Sequence, residues 1–356
     1  MLSLSTDVTA HVLECVTPMD ARWLALIAMM RTSKHMRDAA ITWLRSMREL
    51  HSNSLPVPLS KIAAILGTGS LRSMTFDDEH DNAIVTISSH CPALAVIDVD
   101  VSFPVTDRAM ASLVHFPHAL HHANKTATTT ALTHVTFGGA FACACSMTDA
   151  GVVALARGSP HLSHLSLSLA WTSNVTDASV VALASCCPLL THLTLKSSNV
   201  TDEGVKLLVK LRHLDLQSSQ RITGSTAHCC VQLETLVLRN CFFVRELAVE
   251  ALAARCHHLR HVDFAGCRNV SDAAVRALAT DCRQLRHVDL GYCIHVSDDG
   301  VGALAAQCDH LEYVDVTACY GVSSMGRVLI QSKGARCVVS DAIVLSSILA
   351  LSLIHI

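Results

Sequence analysis

Histidine and aspartate stand two positions apart at His213/Asp215, His261/Asp263 and His287/Asp289, and Tyr313/Asp315 continues the series. An imidazole beside a carboxylate is the material of acid–base chemistry and of metal ligation, so these pairs are the first candidates for a site. Catalysis needs more than the pair. No nucleophile is spaced against a base, and no glycine-rich phosphate loop, nucleophile elbow or metalloprotease motif occurs. The chain is therefore expected to be non-catalytic and to require no cofactor.

The spacing has a simpler source. His261, His287 and Tyr313 are 26 residues apart, and so are Leu259, Leu285 and Leu311, Cys256, Cys282 and Cys308, and Cys267, Cys293 and Cys319. Counting from the leading Cys as position zero, the frame reads C-x-x-L-x-x-L/V-x-L-x-x-C, then a loop to Val-Ser-Asp and a short apolar helix. Val288 and Leu290 fall on one face of a short strand and Asp289 on the other. Ser297-Asp298 is a helix N-cap, and Val301, Leu304, Ala305 and Cys308 form one buried helical stripe. Neither element buries its apolar side alone. Stacked repeats pair the strands in parallel, and helices wider than the strand spacing bend the stack so that strands line its concave side. By the same reading Asp107, Asp149, Asp177, Asp202, Asp272 and Asp298 cap the helices.

This frame resembles the cysteine-containing leucine-rich repeat, whose period falls in the 20 to 29 residue range. It predicts an α/β leucine-rich repeat solenoid over residues 61–340 with ten repeats, their strands at 74/76, 97/99, 135/137, 165/167, 193/195, 214/216, 236/238, 262/264, 288/290 and 314/316. Repeats starting near 187 and 208 are short, so their helices must be trimmed. The insert His115 to Thr130 has no apolar period and is expected to be a loop.

The chain has 356 residues, 51% of them hydrophobic, with a net charge of −3 that gives no general argument for nucleic acid or an anionic membrane. Of its 16 cysteines, ten fall on the repeat frame as small buried residues, which fits a reducing cytoplasmic or nuclear compartment rather than a disulfide scaffold. Cys143-x-Cys145, Cys186-Cys187 and Cys229-Cys230 lack zinc-site spacing. No secretory signal and no run of about 18 apolar residues is visible. The sequons at Asn174, Asn199 and Asn269 share one repeat slot and read as loop residues.

Residues 1–50 stand outside the period. Leu4, Val8, Val12 and Val16 mark one amphipathic helix, Leu24, Ile27 and Met30 a second, and Met36, Ala40, Trp43 and Met47 a third, before a Pro-containing linker at 51–60. Three helices before a cysteine-type leucine-rich solenoid resemble the F-box. Leu4-Ser5-Thr6-Asp7-Val8 matches its opening with Ser5 in place of Pro, Val12-Leu13 its apolar pair, and Thr32-Ser33-Lys34-His35-Met36 its later motif with Met36 in place of Trp.

What the resemblance implies is a substrate receptor of a Skp-cullin-F-box ubiquitin ligase. Leu4, Val8, Val12, Leu13, Val16 and Met36 would dock on the Skp-type adaptor, and a protein substrate would lie in the concavity. The alternative is a stand-alone leucine-rich scaffold whose helices close the open end of the repeat array. The tail 341–356 ends in Leu351 to Ile356, which reads like translated library-adaptor sequence or, alternatively, a natural apolar end.

Positions five, seven and nine point away from the core. His213, Asp215, Arg239, His261, Asp263, His287, Asp289, Tyr292, Tyr313 and Asp315 lie on or beside this face and are the expected substrate-binding residues, with Arg and Tyr as anchors. Three readings of the His/Asp columns stay open: copies carried by duplication, a binding face whose His pKa values the aspartates raise, and a metal site. Parallel strands splay ligands in a row, which counts against the metal.

Overall fold

The computed structural model describes residues 49–51, 71–77, 84–85, 88, 91, 94–100, 105–114, 132–138, 147–168, 174–225 and 229–338. The expected helices of 1–48, with Leu4, Val8, Val12, Leu13, Val16 and Met36, lie outside the described residues, as do the insert and the tail. The chain divides into two compact units, residues 1–200 and 201–356.

In the first unit, strands β1 (Glu49–His51), β2 (Ser73–Asp77), β3 (Val96–Asp100), β4 (His134–Gly138), β5 (His164–Ser168) and β6 (His192–Leu195) pair in parallel and in sequence order. Its described helices are α1 (Asp107–Ser112), α2 (Asp149–Gly158) and α3 (Asp177–Cys186). The second unit holds α4 (Asp202–Val205), β7 (His213–Asp215), β8 (Thr235–Val237), α5 (Glu246–Ala253), β9 (His261–Asp263), α6 (Asp272–Asp281), β10 (His287–Asp289), α7 (Asp298–Gln307), β11 (Tyr313–Asp315), α8 (Ser324–Ser332) and β12 (Arg336–Val338). All ten expected strands are present as β2 to β11. The helix of the repeat near 187 is trimmed to the four residues of α4.

Two strands were not expected. β1 pairs with β2 where the helical module was to end and the linker to begin, and β12 extends the second unit past the tenth repeat. Both lack the Leu-x-x-Leu-x-Leu frame, so only pairing with a neighbour defines them.

Alternation sets the layers. Val262, Phe264, Val288, Leu290, Val314 and Val316 are buried, and the described positions five beside them are partly exposed. After β6 to β11 the residue at position ten turns left-handed: Ser197, Ser218, Asn240, Gly266, Tyr292 and Ala318 all have φ between 54° and 77°. In the last four of these repeats position eleven then drops inward as a buried cysteine whose thiol donates to the preceding repeat. Cys241 reaches the Leu216 carbonyl at 3.2 Å, Cys267 that of Leu238 at 3.0 Å, Cys293 that of Phe264 at 3.2 Å and Cys319 that of Leu290 at 3.0 Å. Burial pushes the thiols of Cys256, Cys282 and Cys319 up to about 12. The frame cysteines are thus donors between repeats as well as apolar filler.

The aspartates play a different part from the one expected. Six helices, α2, α3, α4, α6, α7 and α8, are capped by the Ser or Thr before them: Thr148, Thr176, Thr201, Ser271, Ser297 and Ser323 accept from the backbone two residues on. The following Asp sits in the first helical turn and turns its carboxylate to the next repeat. Asp272 accepts from the Ser297 N–H at 2.8 Å, the Ser297 hydroxyl at 2.6 Å and the Gly300 N–H at 3.1 Å. Asp107 does the same for Thr148 and Gly151, Asp149 for Thr176 and Ser179, and Asp298 for Ser323. Orphan N–H groups at the start of one helix are therefore satisfied from the helix before it.

At Asp149 and Asp298 these bonds hold the carboxyl below its ordinary value, at Asp149 in spite of an opposing burial effect. A depressed folded pKa contributes stability that is present above the unfolded value and is lost as pH falls through the folded one. Acid unfolding should therefore show a proton uptake at these two groups below pH 3.8. NMR titration of their carboxyl carbons checks this; midpoints at or above the ordinary value would contradict it.

Candidate functional site

The strand face of the second unit carries the predicted residues, and the parallel register makes columns of them. His261 pairs with His287 and His287 with Tyr313; Asp263 pairs with Asp289 and Asp289 with Asp315. The rings of His261 and His287 stack with centroids 5.5 Å apart, and those of His287 and Tyr313 6.1 Å apart. In the first unit a second column, His134, His164 and His192, stacks more tightly at 4.0 and 3.9 Å. There Thr133, Ser163 and Thr191 each place a hydroxyl within 2.9 Å of the neighbouring imidazole Nδ1.

The acid column is less available than its alternation suggests. Asp215 and Asp263 are buried. The Oδ1 atoms of Asp215, Asp263, Asp289 and Asp315 accept from the N–H two residues on, at 3.0, 3.0, 2.9 and 2.7 Å, and so hold the left-handed turn that follows each strand. These aspartates end strands first and face solvent second.

Arg239 binds the columns together. From the end of β8 its Nε donates to Asp263 Oδ2 at 2.9 Å and another of its nitrogens donates to Asp289 Oδ2, so one guanidinium spans two strands. Burial pushes the carboxyls of Asp263 and Asp289 up, and at Asp289 the neighbouring Asp263 charge adds to it. On Arg239 burial acts downward, but the two carboxylates outweigh it and the guanidinium is held above its ordinary value.

The expectation that the aspartates raise the histidines fails at His261. Burial pushes its imidazole down, His287 and Arg239 push the same way, and Asp289 opposes them without winning. The half-buried ring pays more to be charged than one carboxylate, itself held by Arg239, returns.

Tyr292 stands out on the turn side. It adopts φ 62° at a slot where the adjoining repeats place Gly266 and Ala318, and its N–H donates to the Thr317 carbonyl at 2.7 Å. A bulky residue in this region is strained by about 1 kcal/mol. Tyr292→Gly is therefore expected to raise stability by about 0.5 kcal/mol after the extra unfolded-state entropy of glycine is subtracted. Urea denaturation reads this as a higher midpoint at unchanged slope.

Of the ten predicted face residues, the structure joins Arg239, Asp263 and Asp289 in one cluster and His261, His287 and Tyr313 in one stack. His213 and Asp215 lie on β7, Asp315 ends β11, and Tyr292 lies in a turn.

Comparison with known proteins bears on the repeat. A family model described as Leucine Rich repeat matches residues 186–209, which carry β6 and α4, and residues 255–279, which carry β9 and most of α6. The two matched segments are leucine-rich repeats. The architecture is accordingly an α/β leucine-rich repeat solenoid.

A chain of the Rad7–Elc1 complex from yeast is similar in structure, at 15% identity and a TM-score of 0.53, with 90% of each chain covered. An internalin, inlF, from Listeria monocytogenes is similar at 13% identity and a TM-score of 0.51, again over 90% of each chain. At such identities the likeness is one of fold. No curated protein sequence matches the chain. Among the described residues no helix is long and apolar enough to cross a membrane.

Proposed function

We propose that this leucine-rich repeat protein is the substrate-binding subunit of a Skp-cullin-F-box type ubiquitin ligase and holds a protein substrate on the strand face of its second unit. The observation that carries the binding role is the ordered column of side chains that the parallel register presents there, with Arg239, His287 and Tyr313 reaching its outer layer. Arg and Tyr favour protein contacts because they bury large, stiff surfaces and keep a polar end. The F-box-like order of Leu4, Val8, Val12-Leu13, Val16 and Met36 supports the ligase role, and the yeast Rad7–Elc1 structure of similar fold is that of a protein complex. In this role the chain performs no chemistry. It raises the local concentration of a substrate lysine near a charged conjugating enzyme supplied by other subunits.

Co-purification with a Skp-type adaptor tests the proposal. The full chain should retain the adaptor, and a chain beginning at Leu55 should lose it. If neither retains it while both stay folded, the ligase role falls and a free-standing leucine-rich scaffold takes its place.

A further inference from the structure

At the edge where the strands of the second unit begin, Arg260, Gln284, Arg286 and His310 line a recess of about 150 Å³. Arg260 and Arg286 immediately precede β9 and β10, and the Arg286 N–H donates to the Arg260 carbonyl at 2.8 Å. Their side chains therefore rise from adjacent strands about 4.8 Å apart. Arg286 is tied to Glu312 at 2.6 Å. Among the described residues no ion pair or hydrogen bond engages the side chains of Arg260, Gln284 or His310.

A recess two repeats earlier provides an internal control. Arg212, Gln232, Glu234 and His258 hold the same repeat positions around a recess of about 280 Å³. There Glu234 stands in the place of Arg286 and pairs with Arg212 at 3.0 Å, so that recess is neutralised from within. With Arg286 turned to Glu312, the exchange of a carboxylate for a guanidinium leaves Arg260 without an acid in the recess, and its charge and the donors of Gln284 and His310 are not used by the fold.

We propose that the Arg260 recess binds a phosphate group, either inorganic phosphate or a phosphomonoester on a partner. A phosphomonoester carries a charge of about −1.5 to −2 at neutral pH and three acceptor oxygens, which the Arg260 guanidinium, the Gln284 amide and the His310 imidazole can meet together, with the Glu312-paired Arg286 beside them. With a water occupying about 30 Å³ of liquid, the recess holds roughly five, room for one tetrahedral oxyanion. A single phosphate fits better than a nucleic-acid backbone, because the acids of the adjoining strand face, Asp263 and Asp289, repel an extended polyanion. The site stands apart from the ligase role proposed above, and neither needs the other.

Isothermal titration of the full chain with inorganic phosphate and with O-phosphoserine, at low and at raised salt, tests it. Both ligands should bind saturably, more weakly as salt screens the guanidiniums. Arg260→Ala should weaken each by about tenfold, the loss of one charge-assisted contact, and Arg212→Ala should leave both unchanged. O-phosphoserine binding tighter than inorganic phosphate would identify a phosphorylated partner as the source, and equal affinities would identify the free ion. Absence of saturable binding, or equal losses in Arg260→Ala and Arg212→Ala, overturns the site. Arg260 is exposed, so its replacement leaves the core intact, and circular dichroism verifies the fold.

Discussion

Arg239→Ala is expected to destabilise the second unit by about 2 kcal/mol at neutral pH, because it leaves two mostly buried carboxylates without their shared cation. The side chains of Asp263 and Asp289 are only 10% and 13% exposed, so water cannot replace the guanidinium in full. Arg239 itself is 38% exposed, which keeps the loss at the lower end of what breaking a buried pair costs.

The pH dependence separates this from simple loss of packing. Both carboxyls already sit above their ordinary value, with burial as the leading cause. A raised folded pKa contributes stability that is complete below the unfolded value and lost as pH rises through the folded one. Removing Arg239 raises both further, so the penalty of the variant should shrink as pH falls from neutral toward 4. Urea midpoints of the two proteins that run parallel from pH 7 to pH 4 would refute the electrostatic account.

Asp272→Ala should cost about 2 to 3 kcal/mol, since three bonds to one charged acceptor are lost and two backbone donors at the start of α7 are left without it. Gly300 turns this into a sharper test. A Cβ on Gly300 would lie 2.5 Å from Asp272 Oδ1 and 3.3 Å from the Val275 Cβ, so Gly300→Ala should destabilise the native protein. In the Asp272→Ala background the oxygen is gone, and the same change gains about 1 kcal/mol of helix propensity. The double variant is therefore expected to be more stable than Asp272→Ala alone. Additive losses in a thermal double-mutant cycle would show that the carboxylate does not sit over the glycine.

Much of the fold was legible because it is periodic. Leu259, Val262 and Phe264, repeated 26 residues later as Leu285, Val288 and Leu290, fix a strand and its buried face without any knowledge of what lies beside them. β1 and β12 were not legible, because Glu49–His51 and Arg336–Val338 carry no frame residues and become strands only through a neighbour's open edge.

The aspartates mark the limit more finely. Thr or Ser before Asp already names the hydroxyl residue as the N-cap, and a small residue two places after the Asp, Gly151, Ser179 or Gly300, was a visible sign that something packs there. That the occupant is the Asp of the previous repeat depends on how successive helices stack, which no period records.

At the face, the columns followed from register, but the reach of Arg239 to a carboxylate fifty residues away did not. A long side chain that leans across two strands leaves no period in the sequence. The burial of Asp215 and Asp263 was missed for a related reason: alternation assigns a direction to a side chain and says nothing of the turn that consumes its Oδ1.

The carboxylate ladder has a polarity that the strands lack. Each rung is owned by one helix and used by the one after it, so α7 depends on α6 and α8 on α7, with no debt in the other direction. Ser324 occupies the first position of α8 where Asp272 and Asp298 begin the two helices before it, and the ladder's last described rung ends there. Fraying at the carboxyl-terminal side thus leaves every earlier helix start intact. Disorder entering from the amino-terminal side of α6 strips one cap at each step, and amide hydrogen exchange at the starts of α6, α7 and α8 should spread in that direction.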